Sequence, residues 1–108
     1  MKKYKIGSST ALEILYAADM TTLITESRTI ITINMTGNGS LALDDDATPQ
    51  IGDEVIVKAT SDATARDLTF GAGFTAPVLA GVINKTKTQS FVYDGTSFIA
   101  SGAPVQIN

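Results

Sequence analysis

Carboxylates are the residues best able to do chemistry in this chain. Asp44, Asp45 and Asp46 stand in a row, with Asp53 and Glu54 close behind, and calcium accepts several carboxylate and carbonyl oxygens from a flexible loop. The spacing is not that of an EF-hand, and three consecutive side chains cannot converge on one ion. The stretch therefore reads as a solvated acidic turn, and no metal is assigned to it. Asp62, Arg66 and Asp67 form a second group. An arginine beside an aspartate either marks a ligand pocket or locks a loop by charge-assisted hydrogen bonds; the locked loop is the reading adopted.

Nucleophilic and acid–base chemistry has little to work with. The chain has no cysteine and no histidine, so thiolate nucleophiles, disulfides, the usual general base and the commonest zinc ligands are all missing. A serine nucleophile would need a lysine base, and no Ser-X-X-Lys stretch occurs. Gly71-Ala72-Gly73-Phe74 lacks the strand–loop–helix setting and following lysine of a phosphate loop. A glycosidase-type carboxylate pair needs a deeper cleft than one small β-domain offers. The chain is expected to be no enzyme and to carry no cofactor.

Charge and hydropathy exclude further classes. A formal charge of −3 and a pI near 4.6 leave no basic surface for a nucleic-acid partner. Lys2, Lys3 and Lys5 are the one basic cluster, and three terminal lysines solubilise. No run approaches the ~20 apolar residues that span a bilayer, so no membrane partner is expected. Glu13 and scattered serines and threonines deny the start of the chain a signal-peptide core, which points to assembly in the cytoplasm. No tryptophan is present to stack on sugars.

The elements that must carry these residues divide at about residue 20. Lys3-Tyr4-Lys5-Ile6 alternates like a short strand, and Gly7-Ser8-Ser9 breaks it. Thr10 and Glu13 fit a capping box, with Leu12, Leu15 and Tyr16 then at i, i+3 and i+4 on a possible two-turn helix ending near Ala18 or Asp19. So short a helix needs something to pack on: the end of its own β-domain, or a partner protein. Residues 1–20 are thus an arm, and residues 21–108 a β-domain.

From Thr21 onward apolar residues recur with period two. Thr29 to Thr36 and Ser40 to Leu43 read as a hairpin about Gly37-Asn38-Gly39. Glu54 to Thr60, Asp67 to Phe70, Pro77 to Ile83, Thr86 to Tyr93 and Thr96 to Ala100 complete seven or eight strands. Asp94-Gly95 marks a hairpin turn, and Phe74 follows a glycine corner from which it can fold back as a plug. Threonine-rich strands of this spacing predict an all-β domain, a small antiparallel β-sandwich or jelly roll with a short N-terminal arm. Ile30, Ile56, Leu79, Ile83 and Val92 fall on faces that a lone sandwich would give to water. Burial against identical copies answers that surplus and protects edge strands, so these five are the expected oligomer interface of a homotrimer.

The order Gly52-Asp53, strand, Asp62 to Asp67, Leu68-Thr69-Phe70-Gly71-Ala72-Gly73-Phe74, strand, Phe91-Val92-Tyr93-Asp94-Gly95-Thr96, apolar strand resembles a β-module of tailed-bacteriophage virion proteins. Head fibres, capsid decoration proteins and tail spikes carry such modules. The resemblance covers about half of the chain. It implies a non-enzymatic, trimeric virion component whose N-terminal segment attaches to a capsid or other virion protein while the β-domain projects outward. Tyr4, Ile6, Leu12, Leu15 and Tyr16 are then the capsid-attachment residues. The alternative is a carbohydrate- or receptor-binding module of a phage tail fibre or bacterial surface protein, meeting a host-surface glycan through Tyr93 and Phe98.

Overall fold

The computed structural model describes residues 9–108. Eleven strands make up the described chain: β1 (Thr10–Ile14), β2 (Asp19–Thr22), β3 (Arg28–Met35), β4 (Gly39–Leu43), β5 (Glu54–Ser61), β6 (Asp67–Phe70), β7 (Phe74–Thr75), β8 (Leu79–Ala80), β9 (Thr86–Tyr93), β10 (Phe98–Ala100) and β11 (Val105–Gln106). They form two sheets. One runs β1-β3-β5-β9-β10-β7, with β11 also on β9; the other runs β2-β4-β6-β8.

The chain coils. Odd and even strands alternate between the sheets up to β6, and within each sheet successive strands pair in parallel. Leu12, Ile31 and Val57 stack in register, so the coils advance by 19 and then 26 residues (31 − 12 and 57 − 31). Met20, Leu41 and Phe70 make the matching stack opposite. Period-two alternation turns one side of the longer strands of both sheets inward, most regularly in β3 and β5. Ile31, Ile33, Val55, Val57, Leu41 and Leu68 are fully buried between the sheets, with Ile24 closing the β2–β3 corner. Each such side chain contributes about 1.5–3 kcal/mol by leaving water.

The coil ends by reversing direction. β8 lies antiparallel on β6, and β9 lies antiparallel on β5, so both sheets receive a strand that cannot start another coil. β10 and β11 then cover the far edge of β9. Phe74 folds back between Phe91 and Phe98, with ring centroids at 5.1 and 5.6 Å, and plugs this end as its position after the glycine corner predicts.

The all-β class is as the alternation predicts, whereas the antiparallel sandwich or jelly roll is replaced by solenoid-like parallel coiling. The possible helix after Thr10 is a strand. In β1, Thr10, Leu12 and Ile14 face inward, and all five residues find register partners on β3; a two-turn helix offers nothing comparable. The arm boundary at residue 20 consequently falls inside β2, and Thr10–Ile14 together with the start of β2 belongs to the sheets. The β3–β4 hairpin is also absent, since the two strands lie in different sheets. Neither Gly37 nor Gly39 takes the positive φ that two-residue hairpin turns demand, and the segment is a corner between layers. Of Pro77 to Ile83, only Leu79 and Ala80 are strand.

Candidate functional site

Two stretches of surface hold the residues the sequence marks for function. The first is the corner joining the two sheets. The Tyr16 hydroxyl donates to the Asn38 carbonyl at 2.7 Å, and a Cβ placed on Gly37 would collide with the Tyr16 ring and hydroxyl. Asn38 reaches onward, its Oδ1 accepting from Asp67 N–H at 3.0 Å. Arg66 holds Asp62 bidentately, Nε to Oδ1 at 2.8 Å and Nη2 to Oδ2 at 3.1 Å. The Asp62 carboxyl sits below its ordinary range, first because of the Arg66 side-chain hydrogen bonds and then because Thr64 N–H donates to it. Every partner in this group is a neighbouring coil or loop, so Asp62 and Arg66 lock their loop, as read from the sequence, while Asp67 takes part through its backbone N–H alone.

Three other carboxylates close loops by accepting from backbone N–H groups. Asp44 Oδ1 accepts from Asp46 N–H at 2.8 Å. Asp94 Oδ1 accepts from Ser97 and Thr96 N–H, which lowers its pKa in that order of importance. That turn carries β9 into β10, with Gly95 at φ 105°. Asp53 is buried and accepts from Gln50 N–H at 2.9 Å. Among the described residues, no three acidic side chains converge as a metal site would require.

The attachment set does not share one face. Tyr4 and Ile6 lie outside the described residues. Leu12 is half-buried on the inward side of β1 in register with Ile31, and Tyr16 braces the corner. Leu15, 84% exposed between β1 and β2, is the member turned fully to solvent. The expected helical stripe is therefore split by the strand geometry.

The second stretch is the outer face of the β1-containing sheet. Ile30 and Ile56 are register partners there, both half-buried, and Ala11 continues their row on β1. Val92 and Ile99, each 37% exposed, are partners on β9 and β10. Val92 lies two residues along β9 from Ser90, the partner of Ile56. One apolar residue from each of five successive strands thus forms a diagonal band. Leu79, expected on an exposed face, is instead buried against Leu68 in the core. In a strand of two residues nothing in the alternation tells which one turns inward. Ile83 is exposed, but on the turn before β9 rather than on the band.

Ala11 and Ile99 were not marked by the sequence. Parity would have found both once β1 was taken as a strand and β10 was set against β9. The aromatic residues of the glycan reading are likewise displaced: Phe98 is fully buried, and Tyr93 packs on it with centroids 4.9 Å apart. Compared with known proteins, the chain matches no family model and no curated relative.

Proposed function

We propose that the protein is a structural component of a phage virion, a head fibre or capsid decoration protein forming a homotrimeric surface projection. The word order from Gly52 to Gly102 motivates the class. The structural observation that supports it is the inequality of the two ends of the coil. At the far end the pairing turns antiparallel, the sheets finish in the two-residue strands β7 and β8, and the buried Phe74 fills the space between Phe91 and Phe98. At the near end, among the described residues, no strand lies on the outer edge of β1 or β2. Leu12 and Ile14 are only half-buried there, whereas their partners Ile31 and Ile33 are wholly covered. Such a module is suited to be held at its N-terminal end and to stand free at the other. Its work is mechanical and adhesive, and no residue is given a catalytic role.

The polarity agrees with N-terminal attachment, although the attaching surface differs from a separate helical arm. Leu15 and the open edges of β1 and β2 take the place of the stripe. Fractionating particles from the producing cells tests the reading: the chain should co-sediment with assembled virions, and its confinement to the soluble fraction would remove the proposal. The glycan-binding alternative is not favoured by the buried Phe98.

A further inference from the structure

We infer that the outer face of the β1-containing sheet is a self-association surface, and that its occupant is a second copy of this chain. The inference deepens the reading above and rests on it for the trimer, but its argument is independent of the particle.

The band Ala11–Ile30–Ile56–Val92–Ile99 crosses β1, β3, β5, β9 and β10. An apolar strip with charged and hydroxyl side chains along much of its border is the anatomy of an interface core and rim. Scattered single apolar residues would need no such explanation.

Charge selects the occupant. One flank of the Ile30–Ile56 pair is Arg28 with Glu54, in the row that Val92 and Ile99 continue, and the other runs Glu13–Thr32–Lys58–Thr88 and ends on Val105. The flanking rows thus hold two acids and two bases, and they balance. The chain as a whole carries −3, so identical copies repel in general yet meet on this face without a net opposing charge. A strongly basic partner would find no excess of acid here to hold it.

Area points the same way. Strands about 4.8 Å apart and up to eight residues long give this face roughly 25 by 25 Å in projection, approaching the ~800 Å² per partner of a stable complex. The open end, two strand edges about 10 Å apart, offers less than half of that. Lateral packing is therefore the contact that holds copies together, and the open end is left for attachment.

Sedimentation equilibrium on the purified full chain tests this. The wild type should sediment as a multiple of the 11.3 kDa protomer. Ile56→Lys with Val92→Lys should weaken association by roughly 30-fold or more, while Leu15→Lys at the open end leaves it unchanged. Where circular dichroism finds the double variant unfolded, Ala11→Glu at an exposed position should weaken association in its place. A protomer mass for the wild type overturns the inference, as does a folded double variant that still associates, or loss of association in Leu15→Lys. Absence of the chain from particles, with association intact, removes the virion reading and leaves this inference standing.

Discussion

The Tyr16 phenol occupies the space in which a Cβ on Gly37 would stand, while its hydroxyl donates to the neighbouring Asn38 carbonyl at 2.7 Å. A side chain from the first coil is thereby keyed into the corner of the second. Gly37→Ala should destabilise the protein by about 1–3 kcal/mol through overpacking. Tyr16→Phe should cost about 1 kcal/mol for the lost hydrogen bond. Because both act on one contact, the double variant should lose less than the sum. Urea midpoints measure this cycle, and strict additivity would mean that the two residues do not meet.

Thr29 is fully buried, and its hydroxyl has no hydrogen-bond partner among the described residues. Burying an unpaired hydroxyl costs free energy that a methyl group does not. Thr29→Val should leave stability unchanged or raise it by about 1 kcal/mol. A lower urea midpoint would show that the hydroxyl is satisfied in solution.

Acid should weaken the corner and the β9–β10 turn together. Asp62 and Asp94 both have pKa values lowered from the ordinary 3.8. A depressed carboxylate favours the folded state above its unfolded pKa, and that contribution disappears as pH falls through the folded value. The effect should therefore be fully present above about pH 5 and be lost below 3.8. Both groups are exposed, so the change is small and sensitive to salt. Asp62→Asn and Asp94→Asn should each flatten the loss of stability over that acidic window without altering its course near neutrality. Thermal melts across pH, at low salt, would register the difference.

Truncation separates the coil from an arm. Deleting residues 1–20 removes β1, half of β2 and the cover over Ile31 and Ile33. It should cost at least about 3 kcal/mol in apolar burial alone, seen as a lower denaturation midpoint with amides of β3 newly open to hydrogen exchange. An unchanged midpoint would mean that the first coil contributes nothing to the fold.

The long strands were legible because β3 and β5 alternate cleanly over eight residues each and β9 does so over Gln89 to Val92. Asp94-Gly95 announced its turn equally well. Strand direction was not legible: alternation reports which side chains face inward, never which strand lies alongside. Coil advances of 19 and 26 residues are too unequal to show as a repeat. Residues 10–16 satisfied two periods at once, Leu12 and Ile14 by twos and Leu12, Leu15 and Tyr16 by a helical turn. Hydrogen bonds offered by the β3 edge decided between them. Ile30, Ile56 and Val92 were found by parity, while Leu79 and Ile83 were assigned to a longer strand than the chain forms. The lock between Asp62 and Arg66 was readable because the two residues are near in sequence; the Tyr16–Gly37 contact joins separate coils and was not.

Gold-labelled antibody against the exposed segment 103–108, applied to intact virions and imaged by electron microscopy, tests the central claim most directly. Regular labelling over the particle exterior, lost when unlabelled protein competes, is the result expected of a projection held by its first coil with its far end free. Bare particles in preparations where the same antibody detects the chain in the soluble fraction would contradict it.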